Sequence, residues 1–236
     1  MSSLVVNVDT VSFFREMRGR NEPDPAQVTV LAEMAGADGI SVQLSARRRA
    51  MHERDLYVLA SVVKTRLMIE MPPADVLIEK ALEIKPSMVT LVADQATGSI
   101  DPSTINLNDG EFDYSGLIAR LGGASVGVSF FIEPEPDLIR KAAKAGAAAV
   151  LINCATYANA RTLQDAQHEL DRIDRTVVAA GKAGLSVACG RGLNHRNLKP
   201  LVELGAVDDF VIGYSICARA LLIGYERAVR EIVSAI

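Results

Sequence analysis

One carboxylate in this chain stands where a carboxylate costs most. Glu70 lies in the run Leu67-Met68-Ile69-Glu70-Met71, with apolar neighbours on both sides. A carboxyl taken out of water has its pKa pushed up, towards general acid or base use. The alternative is a structural carboxylate paired with an arginine. Two glycine turns suggest different chemistry. Gly190-Arg191-Gly192 and Ile212-Gly213-Tyr214-Ser215 each follow an apolar run, and the second opens a helix. Glycines let backbone N–H groups approach an anion, and a helix N-terminus favours negative charge. Read plainly, the same glycines only make tight turns. Polar residues also close other apolar runs: Asn7, Asp9 and Thr10, then Gln43 and Ser45, then Glu133 and Asn153. The three histidines are less suited to chemistry. His52 and His168 fall in helical stretches, and His195 lies beyond the Gly190-Arg191-Gly192 turn, where it could border a site.

These residues must be positioned by something, and the pattern around them alternates short β-branched runs with amphipathic stretches. Strands are expected at Leu4 to Val8, Gly39 to Leu44, Arg66 to Met71, Met88 to Val92, Ser125 to Ile132, Ala149 to Asn153, Ser186 to Cys189 and Asp209 to Ile212. Helices are expected over about Pro25 to Ala35, His52 to Val63, from Pro73-Ala74 onward, Tyr114 to Leu121, Glu135 to Ala145, Leu163 to Ala183, Asn197 to Leu204, and from Ser215 towards the C-terminus. Gly36 is a stop signal for the first of these. Between the fourth strand and its helix, Ala93 to Asp113 is rich in Ser, Thr, Asn, Asp and Gly and reads as a long loop of the kind that covers or binds. Eight strict alternations in 236 residues predict a single-domain (β/α)8 TIM barrel over residues 1–236, with an open doubly wound sheet as the alternative. In such a barrel the site belongs at the C-terminal ends of the strands, with phosphate held after strands seven and eight. The candidate residues fall there.

Composition fits this architecture. Hydrophobic residues make up 49% and aromatics only 5%, with no Trp, so the core must be built from Val, Ile, Leu and Ala. Twenty-five basic against 29 acidic residues give a net charge of −4. That balance argues against a nucleic-acid partner. Arg47-Arg48-Arg49 reads either as a solvated loop or as a grip on an anionic ligand. Cys154, Cys189 and Cys217 are odd in number and widely spaced, which suggests neither a disulfide framework nor a metal site. No signal-peptide pattern and no apolar run of about 18 residues is present, so a cytoplasmic protein with no membrane partner is expected.

Longer phrases resemble the pyridoxine 5'-phosphate synthase family along nearly the whole chain. They are Asn7-Val8-Asp9, Arg18-Gly19, Pro23-Asp24-Pro25, Ala35-Gly36-Ala37-Asp38-Gly39-Ile40, Arg54-Asp55, Glu70-Met71, Phe131-Ile132-Glu133-Pro134, Tyr157-Ala158, Gly190-Arg191-Gly192-Leu193-Asn194 and Ile212-Gly213-Tyr214-Ser215-Ile216-Cys217-Ala218-Arg219-Ala220. The resemblance implies a (β/α)8 barrel, commonly an octamer, that condenses 3-amino-2-oxopropyl phosphate with 1-deoxy-D-xylulose 5-phosphate. It implies no cofactor. The amino-ketone phosphate would be held by Asn7, Arg18, Gly192 and Gly213, with Tyr214 where the family has a histidine. On the other half, Asp9 is kept, Thr10 replaces a histidine, and Gln43, Ser45 and Ala50 replace His, Arg and His. A threonine that the family carries in the loop after strand four has no evident counterpart. The family's proton-transfer glutamate is Glu70, but its two histidines are Gln43 and Arg191. The amide is not a base near neutral pH, and the guanidinium keeps its proton there.

The sequence therefore predicts a divergent family member that binds a phosphorylated small molecule and catalyses a condensation or ring-forming step. Glu70 would move protons, and Gln43 and Arg191 would orient or polarise carbonyl groups. Two alternatives stand beside it: a genuine pyridoxine 5'-phosphate synthase, and a catalytically inactive binding or regulatory homologue. A homo-oligomer is expected from the resemblance.

Overall fold

The computed structural model describes residues 2–17, 19, 21–45, 51–93, 102–108 and 112–236. Eight parallel strands, β1 (Ser3–Asn7), β2 (Gly39–Gln43), β3 (Arg66–Met71), β4 (Met88–Leu91), β5 (Gly127–Ile132), β6 (Ala149–Asn153), β7 (Ser186–Gly190) and β8 (Asp209–Ile212), close into a barrel in sequence order. Closure is made by β1 against β8, with Ser3 opposite Asp209 and Val6 opposite Ile212. The expected (β/α)8 barrel is the fold observed.

Alternation along each strand sorts residues between two cores. On β3, Leu67, Ile69 and Met71 pack outward into a large cluster shared with the helices. Met68 faces inward, where it meets Val5, Phe131, Leu151, Ala188 and Val211 from other strands. Glu70 has the inward parity of Met68 and is 2% exposed. Ser41, Thr90 and Ser129 are buried as well. The barrel interior is thus partly polar. Burying each large outward side chain, such as Ile69 or Phe130, stabilises the fold by roughly 1.5–3 kcal/mol.

The helices are α1 (Asp9–Glu16), α2 (Pro25–Met34), α3 (Glu53–Val62), α4 (Asp75–Ile84), α5 (Tyr114–Gly122), α6 (Pro136–Ala145), α7 (Ala155–Ala158), α8 (Leu163–Lys182), α9 (Lys199–Val202), α10 (Tyr214–Ile223) and α11 (Tyr225–Val233). Several ends follow side-chain chemistry. Asp24 caps α2 by accepting from Ala26 N–H at 2.9 Å, with Pro25 in the first turn. Thr162 caps α8 by accepting from Asp165 N–H at 3.1 Å. Gly36 adopts φ +104 just past α2, as its position predicts.

Eleven helices stand among the described residues where eight were expected. The extra ones have physical causes. Asp9 opens α1 with an acidic side chain in the first turn, and Val11, Ser12 and Arg15 bury one face. The short α7 follows β6. The C-terminal stretch is two helices because Gly224, at φ +87, breaks it. The fifth strand starts later than expected, since Ser125 adopts φ +63 in the preceding turn. Of the loop expected over Ala93 to Asp113, the described part is pinned: Ala93 bridges Ser103, and Ile105 N–H donates to the Phe131 carbonyl at 2.8 Å.

Candidate active site

The C-terminal ends of the strands surround a cavity of about 570 Å³. That is within the usual range for small-molecule sites. Asn7, Asp9, Thr10, Gln43, Arg191, Gly192, Gly213 and Tyr214 all line it. Ser45, two residues past β2, is half-buried and does not belong to this lining. Arg18 and the Arg47-Arg48-Arg49 run lie outside the described residues.

Asp9 and Asn7 form the β1 side. The Asp9 carboxylate accepts the Gln43 backbone N–H at 2.8 and 3.0 Å, and it accepts Asn7 Nδ2 at 2.7 Å. Asn7 Oδ1 in turn accepts Asp9 N–H at 3.1 Å. Asn7 Nδ2 reaches Ser41 Oγ at 3.4 Å, and Ser41 Oγ donates to Glu70 Oε1 at 3.3 Å. Burial in the barrel mouth pushes the Asp9 carboxyl up to about 6. The Gln43 N–H opposes that rise, and the nearby Glu70 charge adds to it.

Arg191 enters from the opposite wall. It follows β7 with φ +78, and Gly192 behind it has φ +72. Two successive left-handed residues turn the chain sharply, and for a bulky side chain that conformation costs of order 1 kcal/mol or more. The turn aims the guanidinium across the barrel, where Nη2 donates to Glu70 Oε2 on β3. Its carbon lies 4.8 Å from the centre of the Phe131 ring. Its buried Nε–H has no acceptor among the described residues. Glu70 itself lines a second, smaller cavity beneath, of about 270 Å³, with Ser41, Thr90 and Ser129. Its geometry is that of a carboxylate paired with an arginine inside the barrel.

The two glycine turns have structural causes sufficient in themselves. A Cβ at Gly192 would stand 2.6 Å from Ala158 Cβ. A Cβ at Gly213 would stand 2.7 Å from the Asn7 carbonyl oxygen, so the ends of β8 and β1 meet only because the residue is glycine. Gly213 also precedes α10, whose first residue, Tyr214, is 76% exposed at the cavity rim.

A further cluster joins two strand-end residues named from the sequence, Glu133 and Asn153, to Thr104, which the sequence did not single out. Glu133, just past β5, accepts Thr104 Oγ1 at 3.0 Å and Asn153 Nδ2 at 2.9 Å. Thr104 lies in the segment after β4, where the resemblance called for a threonine. Its contact with Glu133 is made across the fold and leaves no mark in the local sequence. His195 lines the mouth cavity; His168 is exposed on α8, and His52 pairs with Glu16 at 2.9 Å. Among the described residues, no group of three or more His, Cys, Asp or Glu is placed to hold a metal ion. No helix among them is long and apolar enough to cross a membrane.

Residues 4–236 match the family model of the pyridoxal phosphate biosynthesis protein PdxJ. The pyridoxine 5'-phosphate synthase of Geotalea uraniireducens is 38% identical over 233 residues, covering 99% of this chain and 98% of the relative. That of Geobacter sulfurreducens is 39% identical with the same coverage. Among solved structures, phosphoribosyl anthranilate isomerase from Thermus thermophilus superposes with a TM-score of 0.61 at 12% identity, over 100% of this chain and 98% of that one. A structure described as native KDPGal gives 0.59 at 12% identity, over 98% and 92%. These two share the fold.

Proposed function

This chain belongs to the PdxJ family of pyridoxal phosphate biosynthesis proteins, and on that premise we propose that its barrel mouth binds a phosphorylated amino ketone and condenses it with a second carbonyl compound in a ring-forming reaction of the pyridoxine 5'-phosphate synthase type. The observation that carries this reading is the cavity wall that joins Asn7, Gly192 and Gly213 beside the guanidinium of Arg191. The three residues match the amino-ketone half of the family pattern. The Arg191 guanidinium and the Gln43 side chain both line the cavity, where they can polarise or orient a carbonyl oxygen. The second-substrate half is altered: Thr10, Gln43 and Ser45 offer neither the histidines nor the arginine of the family. The reading includes a cytoplasmic setting, consistent with three buried free cysteines. It also includes self-association.

Two other readings have specific support. The relatives named pyridoxine 5'-phosphate synthase favour the unmodified reaction. The Glu70–Arg191 pair favours a binding protein without turnover, since it occupies both groups.

The test is formation of pyridoxine 5'-phosphate from 3-amino-2-oxopropyl phosphate and 1-deoxy-D-xylulose 5-phosphate, with calorimetry of each substrate alone. Product formation means the unmodified reaction. Binding of the amino ketone, with its consumption only when another ketone is supplied, is the outcome expected here. Binding without consumption of any kind leaves the inactive homologue. No binding of the amino ketone defeats the proposal.

A further inference from the structure

The barrel mouth brings two carboxyl groups towards one described guanidinium. Arg191 Nη2 is committed to Glu70, which is 2% exposed and faces the lower cavity. Asp9 is left with uncharged donors only, the Gln43 N–H and Asn7 Nδ2, and it lines the upper cavity. Burial in the mouth, together with the nearby Glu70 charge, makes Asp9 hold a proton more readily than an ordinary carboxyl, against its Gln43 and Asn7 donors and the Arg191 charge. The two acids thus differ in what they can do. Glu70 can anchor a cation. Asp9 can take and give a proton where a ligand would lie.

We propose that Asp9 is the group that exchanges protons with the ligand in the mouth cavity, and that Glu70 is the positioning residue that holds Arg191. The proposal rests on the condensing reading above. In imine formation the amine nitrogen bonds to the carbonyl carbon, and the carbonyl oxygen leaves as water carrying two protons that began on nitrogen. Asp9 in its acid form delivers a proton to the departing oxygen. As carboxylate it then takes one from the nitrogen, and it ends as it began. The Gln43 backbone N–H points at this carboxylate, so Asp9 stands beside the position where the resemblance places a basic histidine. The rise of Asp9 to about 6 agrees with this use. The other titratable or charged side chains lining the cavity are Arg191, His195 and Arg196 after β7, and Tyr214 and Arg219 on α10. Arg219 is itself paired with Glu231.

The test is a side-chain carboxyl titration by carbon-13 NMR on the wild type, Asp9→Asn and Glu70→Gln, joined to the pH profile of turnover. One aspartate resonance should titrate at about 6 and be missing from Asp9→Asn. In Glu70→Gln it should remain with a lower midpoint, because a negative neighbour is gone and Arg191 is released. The alkaline limb of kcat/KM, set by loss of the Asp9 proton, should vanish in Asp9→Asn, with kcat down roughly 10²–10⁴-fold. An Asp9 midpoint in the ordinary carboxylate range overturns the proposal, as does a near-neutral midpoint that belongs to Glu70. A wild type that consumes no amino ketone with any ketone supplied defeats the condensing reading instead, and the titration still decides which carboxyl exchanges its proton.

Discussion

The guanidinium of Arg191 lies over the face of Phe131, 4.8 Å from the ring centre, while its Nη2 reaches Glu70. A strand-five aromatic and a strand-three carboxylate therefore fix one side chain from beneath and from the side. Replacing the ring by a branched aliphatic keeps most of the volume and removes the π face. Phe131→Leu should lower stability by about 1–2 kcal/mol, from a lost cation–π contact and imperfect repacking. Urea denaturation checks the loss. Ligand affinity should fall with it, because the guanidinium gains freedom; unchanged affinity would mean that the ring does not position Arg191.

Glu70 and Arg191 expose only 3% and 15% of their side chains. Removing one member of such a pair leaves the other charged and unpaired in the barrel. Glu70→Ala should cost about 3–5 kcal/mol. The double replacement Glu70→Leu with Arg191→Met should recover much of this, since an apolar pair needs no compensation. Equal losses in the single and double variants would contradict the pairing.

Asp9 gives stability a definite pH dependence. Its folded value of about 6 lies above the ordinary 3.8. Between those values the folded state holds a proton that the unfolded state has lost, so stability falls as pH rises through this window and is level above it. The contribution is on the order of 1–3 kcal/mol. Unfolding free energies from urea titrations at pH 4 to 7 should show the wild type losing that amount relative to Asp9→Asn as pH rises. A constant difference across the range would show that Asp9 titrates normally.

Two glycines should respond oppositely to alanine. At Gly213 the new methyl meets the Asn7 backbone oxygen at 2.7 Å, and backbone cannot step aside cheaply. Gly213→Ala should cost about 1–3 kcal/mol and weaken ligand binding by displacing Asn7. Gly181, within α8, has nothing within 4 Å of such a methyl. Gly181→Ala should stabilise by up to about 1 kcal/mol. Thermal melts of the two variants test both signs.

The proposed self-association points to α10. Leu221 and Leu222 are 76% and 77% exposed, and Met17 beside α1 is 78% exposed. Apolar side chains this open are usual at surfaces that meet another chain. Leu221→Asp with Leu222→Asp should reduce the mass measured by light scattering while the circular dichroism spectrum is kept. A wild type of single-chain mass would remove the proposal.

The barrel was legible because its signal repeats. Each strand is a short β-branched run, and the period-two parity that buries Ile69 outward also turns Glu70 inward. The glycine turns were legible as turns, and their place after β7 and β8 follows from the count. What the sequence hid was pairing between distant elements. Nothing local marks Arg191 as Glu70's partner, because they lie on opposite walls and meet only inside the closed ring. Thr104 was hidden for the same reason: its contact with Glu133 is made by tertiary packing within a stretch of otherwise similar polar residues. Asp9 was read as a ligand contact, since its altered proton affinity comes from burial and from Glu70, neither of which sits nearby in sequence. The extra helix α1 was missed because its polar first turn reads equally well as loop.

The contact of Gly213 with Asn7 lies at the seam where the first strand meets the last. As a ribosome makes this chain, β1 emerges with no partner on that edge and waits for nearly all the rest to be synthesised. The corner of the mouth where Gly213 meets Asn7 therefore cannot exist in a nascent fragment that ends before β8.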